Sequence, residues 1–583
     1  MENHRPSAEH IVAERPRRWN APFDASMSDE FVEELLQLPA FSRIDANRFS
    51  SHVPLKGILR NDCRRAKFSP GDVIVREGDY GNSAFLVLSG DARVVLPPGL
   101  PRATLGRAGQ QRESILELLA RPFMKFRAPE TRSFQPASGR LGSGSAVGER
   151  RVSLLDHAEG RALFGAEWGA KAVGGRMPPI LPPYKASALS AGAIFGEVAA
   201  MGRVQRTATV YAETEVELLE MRWQALRDIM SKDPLWRTEV EASYRKSLLH
   251  SQLAKCELFR GLPESSINAI ASDTHFESFG TFDWHVAFNR GGVSSGIEGG
   301  GPETRVVTQG EYVDGLLLVT AGFARVTKSF GAGERTLKFL REGDYFGFEE
   351  LADTYSTGQA VSYQASLSSL GYLHLLRIPF HALAGFVLPN AGSLKRRRMS
   401  YTINRPVSED SLLEWVGDKR LINGNRAMLI DLDKCIRCDD CVKACSDTHG
   451  GNPRFVREGE QFKSLMIAHA CMHCVDPVCM IGCPTGAIHR DLSGGAVVIN
   501  DATCVGCGTC ASACPYNNIR LVSINGRDGR PVIDAASKEP ILKATKCDFC
   551  RGVPAGPACE RACTQGALQR VNLQQLSMRE TTD

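Results

Sequence analysis

What the chain lacks narrows it first. No run of about 18 apolar residues occurs in its 583 residues, so no transmembrane helix is expected. The longest apolar candidates, such as Gly315 to Ala321, have strand length. Arg17 and Arg18 are adjacent, but Trp19-Asn20-Ala21-Pro22 follows where a twin-arginine export signal needs an apolar stretch. No signal peptide is therefore read, and the cytoplasm is the expected compartment. Charge of one sign is also scarce. A net +4, from 70 Lys and Arg against 66 Asp and Glu, is too small to argue for nucleic acid or a membrane surface. Cysteine is almost absent from the first three quarters: Cys63 and Cys256 stand alone and read as buried packing.

What is present falls into repeated units, and the length alone suggests roughly three or four domains. Residues 28–38 read as a capped amphipathic helix that Pro39 stops. Strand-like runs separated by glycine corners follow, and a helical stretch from about Arg222 to Leu253 closes the unit. The order then repeats. Val313-Asp-Gly-Leu-Leu-Leu-Val-Thr-Ala-Gly-Phe-Ala-Arg-Val matches Gly81-Asn-Ser-Ala-Phe-Leu-Val-Leu-Ser-Gly-Asp-Ala-Arg-Val, and Arg341 to Gly347 matches Leu189 to Gly196. This internal duplication predicts two homologous β-rich domains. Residues 97–184 interrupt the first copy with Pro, Gly, Ser and Arg. They hold 13 Lys and Arg against 7 Asp and Glu, and read as a flexible surface insertion in which Arg112 to Phe126 could form a basic helix. The second copy has a glycine-rich insertion at Gly291 to Gly301, and the basic run Lys395 to Arg398 leads onward.

Sixteen of the 18 cysteines lie between Cys435 and Cys563, in four groups of four. Cys435, Cys438, Cys441 and Cys445 are spaced C-x2-C-x2-C-x3-C, and Cys504, Cys507, Cys510 and Cys514 repeat this. Cys471, Cys474, Cys479 and Cys483 widen the middle gap to four residues; Cys547, Cys550, Cys559 and Cys563 widen it to eight. Two intervening residues make a tight loop that can bring thiolates to the corners of one cubane, and the fourth cysteine starts a helix that points elsewhere. Zinc explains isolated C-x2-C pairs but not a third and fourth cysteine repeated four times. A disulfide framework needs an oxidising compartment. Sixteen thiolates therefore imply four 4Fe–4S clusters.

The region from about Met428 to Val571 resembles the electron-transfer subunit of dimethyl sulfoxide reductase-type molybdoenzymes and their relatives. The matching stretches are Asp431-Leu-Asp-Lys-Cys-Ile-Arg-Cys, Cys471-Met-His-Cys-Val-Asp-Pro-Val-Cys, Cys483-Pro-Thr-Gly-Ala-Ile, Cys504-Val-Gly-Cys-Gly-Thr-Cys-Ala-Ser-Ala-Cys-Pro-Tyr and Lys546-Cys-Asp-Phe-Cys. The resemblance implies two linked ferredoxin-like halves with crossed ligands. Cys435, Cys438 and Cys441 would share a cluster with Cys563, and Cys547, Cys550 and Cys559 with Cys445. Cys471, Cys474 and Cys479 would take Cys514, and Cys504, Cys507 and Cys510 would take Cys483. Thr564 departs from the family, where proline commonly follows the last cysteine. With cysteine at every ligand position, no 3Fe–4S centre is expected. No G-x-G-x-x-G follows a strand, and no flavin or molybdenum-pterin signature is present. The chain therefore reads as a non-catalytic electron-transfer subunit whose substrate chemistry happens on another chain.

In the first β-rich copy, Phe195-Gly196-Glu197 and Arg206-Thr207-Ala208-Thr209 stand nine residues apart from Glu to Arg. An arginine can hold a phosphate through two N–H donors, and an ionised glutamate suits a ribose hydroxyl. These motifs resemble the phosphate-binding cassette of cyclic-nucleotide-binding domains, as in protein kinase A regulatory subunits and catabolite activators. The resemblance implies a β-roll flanked by helices. Glu197 would hold the ribose 2′-hydroxyl, Arg206 the cyclic phosphate, and Gly196, Ala199 and Thr207 would line the phosphate of cAMP or cGMP. The second copy has Phe348 at the Glu197 position and Tyr363 at the Arg206 position, and reads as degenerate. No recognition-helix pattern follows either copy, so nucleic acid is not an expected partner.

The expected plan is multidomain α+β: two β-roll (jelly-roll) cyclic-nucleotide-binding-like domains, then a double ferredoxin-like iron–sulfur domain. It comprises a disordered arm over 1–27, a first β-roll domain over 28–250 with the insertion 97–184, and a degenerate second over 251–394. A linker over 395–427 and the cluster domain over 428–575 complete it. The expected function is electron transfer between redox partner proteins, a molybdoenzyme-type catalytic subunit among the candidates, with cyclic nucleotide as a regulator. A redox sensor or scaffold, whose β-rolls recruit partners, is the alternative.

Overall fold

A computed structural model describes residues 11–20, 22–95, 99–101, 104–105, 152–156, 158–164, 176–182, 184–202, 204–280, 303–331, 333–391, 407–491, 495–526, 530–551, 553 and 555–573. The expected helix at 112–126, the glycine-rich run 291–301 and the basic run 395–398 lie outside these residues.

The first helix, Asp29–Gln37, begins where Ser28 Oγ accepts from the Phe31 N–H at 3.2 Å. Pro39 ends it and opens a second short helix, Pro39–Ser42, because proline suits a first turn but not an interior one. Two four-stranded sheets follow. One runs in the order Cys63–Phe68, Val216–Arg222, Ser83–Ser89, Ile194–Phe195. The other runs Val73–Val75, Val210–Ala212, Ala92–Val95, Ala186–Leu189. Strand alternation assigns each residue a face. Val87 and Leu218 enter the core between the sheets with Phe68, Phe85 and Phe195. Their neighbours Leu86 and Leu219 face outward and bury Val32, Ile58, Leu226 and Trp236 of the helices.

The second copy builds a six-stranded sheet around the strands Gly315–Phe330 and Ser366–Pro379 by the same alternation. Leu317 and Leu375 lie in the roll, while Leu316, Leu318 and Leu376 meet the helices. The helix Pro234–Lys255 joins the copies: Trp236 and Val240 pack on the first, and Leu253 on the second.

The last segment forms a four-stranded sheet in the order Val456–Phe462, Leu465–His469, Arg426–Asp431, Leu568–Asn572, and two two-stranded antiparallel sheets, Ile488–Arg490 with Val497–Ile499 and Arg520–Ser523 with Leu542–Thr545. Its cores contain the cysteines themselves, packed among Ile430, Phe455 and Met466 in one and Ile488, Val497 and Ile519 in the other. Val12–Ala13 falls in the stretch expected to be a disordered arm. It instead pairs in parallel with Ile533–Asp534, and Arg15 N–H donates to Asp534 Oδ1 at 2.8 Å. Parts of the 97–184 insertion also pack: Leu100, Leu154, Phe164 and Met177 cover Tyr211. Among the described residues, no helix is long and apolar enough to cross a membrane.

Candidate metal centres and nucleotide cassette

The C-x2-C loop that opens each of the four cysteine groups bends in the same way. The residue before its second cysteine has a left-handed backbone: Arg437 at φ 60°, His473 at 46°, Gly506 at 63° and Phe549 at 65°. Three of the four are not glycine, and a non-glycine residue there costs about 1 kcal/mol or more unless its surroundings hold it. Alternating right- and left-handed residues aim successive N–H groups into one hollow, which suits an anion.

The loops bring together cysteines that are distant in sequence. Cys435, Cys438, Cys441 and Cys563 line one cavity, walled by Ile430, Ile436 and Leu568. Cys483, Cys504, Cys507 and Cys510 line another, walled by Ile488, Ile499 and Ala544. Cys445 and Cys559 each lie within electrostatic range of Cys547 and Cys550. Cys479 lies within range of Cys471, Cys474 and Cys514. Burial pushes the thiols of Cys445, Cys510 and Cys559 up to about 12, and neighbouring cysteines push the same way. Such thiols do not ionise alone; a polycationic centre must take the place of their protons.

The donor set fits an iron–sulfur cluster. Soft sulfur ligands converge in fours, the walls are apolar, and donors point at sulfur. The Arg454 N–H reaches Cys445 Sγ at 3.2 Å, the Asn518 N–H reaches Cys514 Sγ at 3.4 Å, and Arg570 Nη2 reaches Cys547 Sγ at 3.5 Å. His449 Nε2 lies 3.7 Å from Cys550 Sγ and belongs to the same site.

Sequence reasoning missed the cations around these loops. Lys543 Nζ donates to the carbonyl of Cys504, Lys546 Nζ to that of Cys547 at 3.1 Å, and Arg490 Nη2 to that of Cys474 at 2.8 Å. All three side chains are buried. Buried cations beside thiolates offset the cost of collecting negative charge in a low-dielectric interior. Sequence reasoning also missed the central contact between loops: His473 stacks on Phe549 with centroids 3.6 Å apart. Loop spacing says nothing about either feature, because the partners come from separate strands and loops.

In the first β-roll, Gly196 has φ 78° and leads into the short helix Glu197–Gly202. Arg206 is buried beneath it, and its Nη1 donates to Gly196 O at 2.7 Å. Its Nη2 lies 3.4 Å from Ser83 Oγ. Among the described residues Arg206 makes no ion pair, and burial pulls its pKa down to about 10. Glu197 is also buried and faces away, accepting from Ser247 Oγ at 2.9 Å and Ser243 Oγ at 3.2 Å on the long helix. Burial raises its pKa above the ordinary glutamate value. Ala199 is buried and Thr207 half-buried beside them. Ser243 and Ser247 were not legible as partners, because they lie 46 and 50 positions from Glu197.

Residues 462–573 match the family model for a 4Fe-4S dicluster domain. The electron transport protein HydN of Escherichia coli is 36% identical over 171 residues, covering 26% of this chain and 93% of HydN. The chain belongs to this HydN-type family of iron–sulfur electron-transport proteins. NrfC of Escherichia coli is 36% identical over 168 residues, 26% of this chain and 68% of NrfC. Residues 185–233 and 301–389 match the family model for a cyclic nucleotide-binding domain. One solved structure aligned to the chain is the regulatory domain of Toxoplasma gondii protein kinase A with cAMP. It is 18% identical with a TM-score of 0.20, covering 64% of this chain and 95% of that one. This HydN-type protein is thus an iron–sulfur electron-transfer protein whose ferredoxin-like part follows jelly-roll domains of the cyclic-nucleotide-binding kind.

Proposed function

We propose that the chain carries four 4Fe–4S clusters and serves redox partner proteins as an electron-transfer subunit of the dimethyl sulfoxide reductase type, a molybdoenzyme-type catalytic subunit among those partners. The convergence of cysteines from distant loops into common cavities carries this reading. The ligand sets are Cys435, Cys438, Cys441 and Cys563; Cys547, Cys550, Cys559 and Cys445; Cys471, Cys474, Cys479 and Cys514; and Cys504, Cys507, Cys510 and Cys483. Bound clusters supply one-electron storage. The chain's own residues hold the sulfur atoms, exclude water and balance charge. Cys438 and Cys507 are exposed, so two of the sets reach the surface.

The first β-roll reads a cyclic nucleotide in this proposal. A buried guanidinium that hydrogen-bonds only to Gly196 O and Ser83 Oγ, with no carboxylate among the described residues ion-paired to it, supports it, since a phosphate can take those donors. The domain limits that accompany the reading are 28–250, 251–394 and 428–575, with the helix Pro234–Lys255 shared across the first boundary.

Two measurements test it. Anaerobically reconstituted protein should hold about sixteen irons and sixteen sulfides per chain. Cys510→Ser should remove or convert one cluster in electron paramagnetic resonance while the others remain; an iron content near eight would overturn the count. Calorimetric titration with cAMP and cGMP should show binding that Arg206→Ala abolishes, and no heat with either nucleotide would overturn the regulatory half.

A further inference from the structure

One loop and one arginine separate the nucleotide cassette from a cysteine loop. Residues 79–83 wrap Arg206. The Arg206 N–H donates to Asp79 O at 2.7 Å, and the Gly78 N–H donates to Arg206 O at 2.8 Å. Tyr80 bridges Gln205, and a Cβ on Gly81 would lie 2.1 Å from Arg206 Nε. The far side of the same loop meets Arg490. The Arg490 guanidinium lies 4.8 Å from the centre of the Tyr80 ring, and Asn82 Nδ2 donates to Arg490 O at 3.2 Å. Gly495, at φ 64°, makes room for that ring: a Cβ there would lie 2.1 Å from Tyr80 Cε2.

Arg490 is buried, and its planar fork is fully directed. It donates to Gly495 O at 2.8 Å, to Cys474 O at 2.8 Å and to Val475 O. One lysine ammonium could not hold all three carbonyls and lie flat on Tyr80 as well. The order of contacts is therefore Arg206, loop 79–83, Arg490, then the loop that carries Cys471, Cys474 and Cys479.

We propose that Arg490 is a positioning residue that fixes a positive charge beside the cluster held by Cys471, Cys474, Cys479 and Cys514, and that the β-roll loop 79–83 holds Arg490 in that place through Tyr80. The inference rests on the reading of those four cysteines as ligands of one cluster. A fixed cation favours the reduced, more negative form, so the seating of Arg490 sets how readily that one cluster accepts an electron. A phosphate at the cassette takes N–H donors that Arg206 now gives to Gly196 O and Ser83 Oγ. It thereby alters the loop on which Arg490 rests. That difference in contacts between the two states is what coupling requires.

The test uses the full chain, reconstituted anaerobically, in redox titrations followed by electron paramagnetic resonance. Without nucleotide, Tyr80→Ala should shift one cluster's midpoint to lower potential and leave the other signals in place. Arg490→Lys should do the same, since it keeps the charge but not the fork. Tyr80→Ala decides the matter alone where the arginine variant fails to fold. All signals unchanged in Tyr80→Ala would overturn the proposal, and so would an equal shift of every cluster. Saturating cAMP should move the same signal in the unaltered chain and leave it unmoved in Tyr80→Ala, each protein being held at a nucleotide concentration that calorimetry shows to saturate it. A nucleotide-induced shift that survives Tyr80→Ala overturns the relay. Absence of cAMP and cGMP binding sinks the nucleotide reading instead, and the nucleotide-free comparison still decides the role of Arg490.

Discussion

In the first β-roll a guanidinium lies beneath the left-handed glycine Gly196; in the second, the ring of Tyr363 lies beneath Gly347. The backbones match. Gly196 has φ 78° and Gly347 has 90°, Gln205 bridges Tyr80, and Ser362 bridges Tyr312 in the same way. A Cβ on Gly196 would meet Arg206 Nη1 at 2.6 Å, and one on Gly347 would meet Tyr363 Cε1 at 3.0 Å. The chemistry differs. Arg206 keeps a charge and has neutral partners, whereas Tyr363 stacks on Phe346 at 5.4 Å and reaches Gly315 O at 3.3 Å. Phe348 replaces Glu197 and packs into the helical core. The second cassette has thus filled its own site with an aromatic ring, while the first keeps a buried guanidinium that hydrogen-bonds to neutral oxygens, with Glu220, Glu197 and Asp79 near it but not ion-paired to it. Fold geometry survives the exchange because the glycine and the strand pairing, not the side chain beneath, set the backbone.

The sharpest way to break this comparison is to move the arginine. Tyr363→Arg should not create a nucleotide site, and should destabilise the second β-roll by about 4 kcal/mol. It loses the Phe346 stack and buries a guanidinium whose near carboxylate, Asp314, lies 3.5 Å from the Tyr363 hydroxyl and is already paired with Arg377 at 2.8 Å. Chemical denaturation measures the loss, and calorimetry the absence of binding. Next in size, Arg206→Ala should weaken cyclic nucleotide binding by about 100-fold or more, since a buried charge contact is truncated.

Acid should separate the two rolls as well. His374, packed between Phe276 and Tyr372, has its pKa pulled from 6.5 down to about 4 by burial, with Arg245 adding to the effect. A depressed value means that its stabilising contribution is present above pH 6.5 and is lost as the pH falls toward 4. The full loss is about 3 kcal/mol. The corresponding strand of the first roll, Val216–Arg222, contains no histidine. Pulse proteolysis across that range should release the second roll first, and His374→Gln should remove the pH dependence.

The smallest effect concerns Glu197. Its raised pKa means that its stabilising contribution holds at low pH and is lost as pH rises through the folded-state value. Glu197→Gln should therefore raise the melting temperature of the nucleotide-free protein at pH 7. If Glu197 turns from Ser243 and Ser247 to a ribose hydroxyl as proposed, the same change should weaken nucleotide binding by about tenfold in calorimetry.

Much of this was legible from the residues. The duplication, the two β-rolls and the iron–sulfur character follow from strand periodicity, matched segments and cysteine spacing. Aligning Ala365 with Ala208 puts Tyr363 at the Arg206 position, and both side chains do lie beneath their glycines. The partners of the key groups were not legible. Arg490 looks like any strand arginine in Ile488–Arg490, and Ser243 and Ser247 look like ordinary helix polars. The docking of Val12–Ala13 onto Ile533–Asp534 spans 521 positions and leaves no local pattern, since two residues are too few to show a strand period.

The sequence by itself determined the elements and the ligand types, because periodicity and spacing are local properties that a chain carries before it folds. Only folding showed which cations stand behind the cysteines, and that the cassette of the first β-roll leans on a cysteine loop through Tyr80 and Arg490. Those are contacts between surfaces far apart in the chain. They are fixed only when apolar burial brings the surfaces together and each buried charge must find its partner.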